Sequence, residues 1–384
     1  MKKKILGGLL CLLGLQFCSC IGDELPNIEV DITNVTSLQE GVVRTTTQEN
    51  GITIFVDKNK VDVTHLELAF EVSEDATYRF VTPKATAVNN NAMDPANYEP
   101  VSGQVTDFSE VRYLEVTSED KQWVKVWSIL VQPVTTQFPT KFTFDQWKSP
   151  DNAKYVIPYE TITEDGKTQE LEMWATTNNS LGILLAYMFG ENLKEDHFGA
   201  CRTTDTPSGE GYALKLSTWD ISLFDPNKPY VSGCMFLGEF DGVEGDPLKG
   251  THFGLPFDKK PVTFKFKYKY NPGTLPSGAT DKGLIEAVLY KTDQEVQYLT
   301  GYTIKDKKFK NIVAYAEVDP DKQTNGYVSV EMPFTYNQEV DMDDLKDWKY
   351  NLALYFASSL DGDAYIGSGQ SVLQIDDVEI VCEE

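Results

Sequence analysis

Apolar side chains recur at every second position through most of this chain, a period that belongs to β-strands buried on one face. Ile52-Thr53-Ile54-Phe55-Val56, Leu66-Glu67-Leu68-Ala69-Phe70-Glu71-Val72 and Trp123-Val124-Lys125-Val126-Trp127-Ser128-Ile129-Leu130-Val131 carry it. Thr263-Phe264-Lys265-Phe266-Lys267-Tyr268-Lys269-Tyr270 sets aromatic residues strictly against lysines, so its aromatic face must be core. Turn-formers separate these runs, and the polar stretch from Asn89-Asn90-Asn91 to Pro100 reads as a surface loop. Helical periodicity is confined to short pieces, Glu191 to Asp196 and Asp341 to Asp347, the second opened by acids that suit a helix N-terminus. The expected fold is all-β. With 384 residues, 41% of them hydrophobic and 12% aromatic, the chain can bury two cores and should divide into two domains.

The first 19 residues stand apart. Lys2, Lys3 and Lys4 precede an apolar run from Ile5 to Phe17 that is too short to span a bilayer and has the basic flank of a secretion signal. Leu15-Gln16-Phe17-Cys18-Ser19-Cys20 then resembles the lipobox of bacterial lipoproteins. The resemblance implies cleavage before Cys20, acylation of that residue, and a membrane anchor whose buried methylenes contribute roughly 0.8 kcal/mol each. Residues 20–25 would form the tether, and Asp23 and Glu24 are similar to an acidic tag that directs lipoproteins outward. An outer-membrane, surface-exposed lipoprotein is the expected location.

The formal charge of −25 moves to −28 when the leader, with three lysines and no acids, is removed. Such a field repels nucleic acid and keeps a tethered protein soluble and monomeric, so no nucleic-acid partner is expected. Cys201, Cys234 and Cys382 remain after the leader, an odd set at no zinc spacing that reads as buried small hydrophobes.

Residues 26–134 make a small sandwich, joined to the rest through Gln132-Pro133-Val134-Thr135-Thr136-Gln137. Leu66 to Val72, Gly103-Gln104-Val105-Thr106-Asp107-Phe108-Ser109 and Tyr113-Leu114-Glu115-Val116-Thr117-Ser118-Glu119-Asp120 resemble the immunoglobulin-like module of surface lipoproteins, which implies a spacer. Residues 138–384 begin at Phe142-Thr143-Phe144-Asp145-Gln146-Trp147 and end at Leu373-Gln374-Ile375-Asp376-Asp377-Val378-Glu379-Ile380, a pairing of first and last strands similar to jelly-roll carbohydrate-binding modules. Trp174-Ala175-Thr176-Thr177-Asn178-Asn179, Gly233 to Gly238, Gly254 to Phe257, Pro261 to Pro272 and Ser358 to Asp363 fall between them in order. Together these segments resemble the putative carbohydrate metabolism domain family, which implies a jelly-roll sandwich and leaves the activity open.

Candidate site residues follow from chemistry. Trp174 beside Thr176, Thr177, Asn178 and Asn179 offers a ring for a sugar's C–H face and amides for its hydroxyls; the same run also suits a core Trp followed by a turn. Tyr365, Trp219 and Trp348 are further stacking candidates. Asp145 and Asp376 sit on strands that a jelly roll makes neighbours, where they could hold a structural calcium ion; strand alternation would send Asp377 to the opposite face. Asp361-Gly362-Asp363 lacks the rest of an EF-hand and reads as a turn. The lysines of the 263–270 strand either line a groove for acidic sugars or guard an exposed face or edge from pairing, the commoner use.

His65, His197 and His252 are the whole histidine complement, and none lies in a HExxH or triad-like motif. No GxSxG elbow, P-loop or dinucleotide fingerprint occurs. The expected function is glycan binding without cleavage. A glycoside hydrolase with paired carboxylates is the alternative, and a structural or adhesion subunit a third.

Overall fold

The computed structural model describes residues 26–383 apart from 38, 49–50, 59, 84–92, 95–102, 135–137, 151–152, 165, 241–245 and 294. The leader, the tether, Cys20 and the Asn89–Asn91 loop lie outside the described residues. Two β-sandwiches follow one another along the chain, and the fold is all-β as the alternation requires.

The first sandwich packs a three-stranded sheet, Ile32–Ser37, Leu66–Val72 and Gln104–Thr106, against a six-stranded one. The latter runs Val42–Gln48, Gly51–Asp57, Val124–Val134, Arg112–Thr117, Thr77–Pro83 and Met93–Asp94, with Gly51–Asp57 and Val124–Val134 paired in parallel. Ile52, Ile54, Leu66, Leu68, Phe70, Leu114, Trp127 and Ile129, the inward members of the alternating runs, fill its core. They repeat every second residue because successive strand side chains point to opposite faces.

In the second sandwich, one six-stranded sheet has the order Ala200–Thr203, Ala213–Ser217, Val372–Cys382, Pro261–Asn271, Val328–Pro333, with Lys141–Phe142 also on Val372–Cys382. The facing eight-stranded sheet is centred on Cys234–Phe240, Tyr350–Ala357, Leu284–Lys291 and Ile312–Val318. Phe264, Phe266 and Tyr270 point inward. Lys265, Lys267 and Lys269 on the other face pair with Glu331, Asp377 and Asp205 at 3.3, 2.7 and 2.5 Å. That strand is central, so its lysines guard a face and no edge.

Helices are few. Met342–Lys346 is capped by Asp341, whose carboxylate accepts from the backbone N–H groups of Asp343 and Asp344. The 191–196 segment holds only the 3-10 turns Gly190–Asn192 and Glu195–His197. The longest described helix, Asn178–Phe189, lies instead where the sequence suggested a Thr-Asn turn. Its run Leu181-Gly182-Ile183-Leu184-Leu185 is apolar without a period, and Gly182 opposes helix locally, so neither pattern nor propensity announces it.

The two sandwiches share a seam. Phe55 and Val134 of the first belong to the core cluster of the second, and Val43 of the first packs against it. Cys201, Cys234 and Cys382 are all free thiols, the first two buried.

Candidate functional site

Between the sandwiches lies a cleft of about 550 Å³, floored and walled by both. The outer face of the first sandwich contributes Thr53, Tyr113, Ser128, Leu130 and Gln132. The second contributes Tyr155, Glu172, Trp174, Thr176, Glu239 and Leu255. These side chains mix hydroxyl, amide and carboxylate groups with two tyrosine rings, the polar and flat surfaces that sugars need. Tyr155 is steadied by Phe198, ring centroids 5.2 Å apart, and Glu172 by Lys148 at 2.6 Å. Glu239 and Thr176 are buried in the second-sandwich wall, where Thr176 Oγ1 accepts from the Asn178 N–H. Nothing in the sequence marks Tyr113, Ser128 or Gln132, because a spacer strand's outward residues gain meaning only from what faces them.

The residues singled out for glycan contact do not form one site. Trp174 is only 4% exposed, packed between Phe142, Phe144 and Phe356 with ring centroids 5.2–5.9 Å away, so it offers no face for stacking. Asn178 is also buried, its amide donating to the Ala200 carbonyl at 2.7 Å and accepting from the Ala200 N–H at 3.0 Å. That amide is consumed in pinning a helix to a strand. The Asn179 side chain lies outside the described residues. Tyr365 is half-buried on the rim of a separate cavity, under the Lys228 ammonium at 5.1 Å. Trp348 is buried, and Trp219 packs on Phe189. Asp361-Gly362-Asp363 is a turn, with Asp363 bonded to Lys305 at 2.6 Å.

Asp145 and Asp376 do come together, at an acidic corner. Val372–Cys382 is flanked on one side first by Ala213–Ser217 and then by Lys141–Phe142, and the change of neighbour falls at Asp376-Asp377. A β-bulge there sets Lys265 opposite Glu379 but Lys267 opposite Asp376. Ile375 and Val378 both remain inward, so both acids between them fall on the lysine side. Asp377 therefore does not face away: it adopts φ 50° and pairs with Lys267. The apolar-Asp-Asp-apolar spacing held that signal, since a gap of three breaks the period of two.

Burial above all, then Asp377 and Asp145, pushes the Asp376 carboxyl up to about 7. Asp145 Oδ1 accepts from the Tyr212 N–H at 3.1 Å. Gly211 has φ 75°, and a Cβ there would stand 2.0 Å from that oxygen, so both the backbone and the contact favour glycine. Glu160 completes the corner: burial and then Asp145 raise it to about 7, while the Trp174 indole N–H, 3.5 Å away, pulls the other way. Among the described residues no group of three or more His, Cys, Asp or Glu side chains is placed to hold a metal ion.

Residues 143–381 match the model of the family described as putative carbohydrate metabolism domain. The chain belongs to that family. A solved structure from Bacteroides thetaiotaomicron, described as a putative glycoside hydrolase, is similar over 94% of this chain and 99% of its own, with 27% identity and a TM-score of 0.70. A second, from Bacteroides vulgatus and described in the same words, covers 65% of this chain and 100% of its own, with 26% identity and a TM-score of 0.55. No curated protein matches. Family and neighbours alike tie this carbohydrate metabolism domain to a carbohydrate-related role.

Proposed function

We propose that the protein captures a glycan in the cleft between its sandwiches, without cleaving it, at an outer surface to which acylated Cys20 tethers it as a monomer. The observation that carries this reading is the cleft's composition: a volume of about 550 Å³ in which polar and tyrosine side chains of both domains converge. A pocket in the range of small-molecule sites with few convergent polar groups is the usual form of a ligand site. Binding is favoured over hydrolysis because the carboxyls raised to about 7, Glu160 and Asp376, do not line the cleft, whose own acids are Glu172, paired with Lys148, and Glu239, buried in the wall. Isothermal titration with host and plant polysaccharides is the test. Tyr113→Ala is expected to weaken binding about tenfold, as loss of a stacking ring does; a blank across both classes overturns the proposal.

A glycoside hydrolase is the second reading, favoured by the acidic corner. Glu160 or Asp376, both raised to about 7, would serve as the protonated acid, with Asp145 beside it as the second carboxyl group. The same pair, Asp145 and Asp376, would supply two carboxylates to a calcium ion whose remaining oxygens must come from backbone and water.

A further inference from the structure

On the outer side of the eight-stranded sheet lies a second cavity of about 290 Å³, which shares only Phe240 with the lining of the cleft. Its floor is an aromatic trio, with Phe253 4.8 Å from both Phe236 and Tyr355 between ring centroids. Leu181 and Leu184 of the helix Asn178–Phe189, Leu248 of Pro247–Gly250, and Ile304 close over it. Three of the hydroxyls that reach the wall are already engaged: Thr177 meets the Cys234 thiol at 3.4 Å, Thr251 donates to the Pro247 carbonyl at 2.7 Å, and Ser232 bonds Ser358 and the Ser359 carbonyl. A sugar ring buried against the aromatic floor would leave most of its own hydroxyls unbonded, which favours an apolar guest in this cavity.

The mouth continues as an apolar strip. Tyr187, Leu223, Phe224, Tyr302 and Ile366 are 46–94% exposed, and each stands within three residues of a cavity-lining residue. Tyr187 and Phe224 touch edge-on at 6.3 Å, so the strip is a joined surface between the helix and the loop beside it. A compact aromatic guest would be satisfied inside the cavity alone; a chain also needs the strip. The volume is about twice that of the roughly 150 Å³ cavity that holds benzene, and so fits around ten carbon atoms.

Charge decides the head group. Lys305 is the only cation among the lining residues, and its ammonium is taken by Asp363 at 2.6 Å and the Leu360 carbonyl at 2.7 Å. With a formal charge of −25 on the chain, an anionic head would be repelled. We propose that this cavity takes the hydrocarbon tail of an uncharged amphiphile, an alkyl or acyl chain of about ten carbons on a neutral head such as a sugar.

The test is titration calorimetry of the full mature chain with n-decyl maltoside below its micelle concentration, beside maltose and decanoate as probes lacking the tail or carrying charge. One saturable site for decyl maltoside is expected, with decanoate at least about tenfold weaker and maltose showing no comparable heat. Leu184→Glu, which puts a carboxylate at the half-buried mouth, should weaken decyl maltoside at least about tenfold. Because that variant could disturb the helix, a second readout uses the unaltered protein: the heat-capacity change on binding decyl maltoside, which burial of the tail should make negative. Absence of saturation, equal binding of maltose or decanoate, or a heat-capacity change indistinguishable from zero would each overturn the proposal.

Discussion

Arg44 of the first sandwich donates from Nη1 to the carbonyl oxygen of Gly254 in the second, at 2.7 Å, and is almost wholly buried in doing so. With the Asn351 amide oxygen turned toward it, the same nitrogen has a second acceptor at 2.9 Å. The guanidinium lies over the Phe55 ring, 5.4 Å from its centroid, and Phe55 itself joins the second core. The first sandwich is therefore locked to the second, and its outward residues form one fixed wall of the cleft.

Removing that lock should separate the halves. Arg44→Ala loses a charged hydrogen bond worth about 1.5–3 kcal/mol and leaves a void at the seam. Calorimetry is expected to show a single unfolding transition in the wild type and two in the variant, with weaker glycan binding. One unchanged transition would mean that apolar contacts alone hold the seam.

Asp376 sets a pH dependence. Its folded carboxyl titrates near 7 against an ordinary 3.8, so the folded state holds the proton more tightly than the unfolded one. The resulting contribution to stability is complete below about pH 4 and is lost as pH rises through 7. Asp376→Asn keeps the shape and drops the charge, so it should melt above the wild type at pH 8 and converge with it toward pH 4. A gap that does not change with pH would deny the raised pKa.

The acidic corner also separates the two functional readings. Incubation with polysaccharides is expected to release no reducing ends. Turnover that Glu160→Gln or Asp376→Asn abolishes would establish the hydrolase instead.

Calcium is tested at the same corner by chelation. If Asp145 and Asp376 hold the ion, EGTA lowers the melting temperature of the wild type and leaves an Asp145→Asn, Asp376→Asn double variant unmoved. Equal responses would remove calcium from the corner.

Glu286 is fully buried and meets Lys307, which also reaches Glu317 at 3.0 Å. Lys307→Met should cost about 3–5 kcal/mol, because it strands the Glu286 carboxylate without a cation. Adding Glu286→Gln should recover much of the loss in a thermal melt; no recovery would place the damage in packing.

The sandwich cores were legible because alternation is itself the physical cause of strand burial, as Phe264, Phe266 and Tyr270 show by pointing inward. The neighbouring of first and last strands was legible too, since Phe142 pairs with Val378. Site residues were less legible. Trp174 looked like a platform because composition cannot tell a buried ring from an exposed one, and Asn178 looked like a sugar ligand although its amide serves the Ala200 backbone. The cleft was invisible for a different reason: it exists only where Tyr113 and Gln132 of one sandwich face Tyr155 and Glu239 of the other, residues far apart in the chain.

The seam has a practical corollary for anyone dissecting the molecule. Severing the chain between Val134 and Phe138 would strip cover from Leu255 on one fragment and turn Phe55 toward water on the other. Each piece would then carry a sticky scar where it once met its mate, and a recombinant fragment cut at that joint is expected to clump in solution although every strand it needs is present.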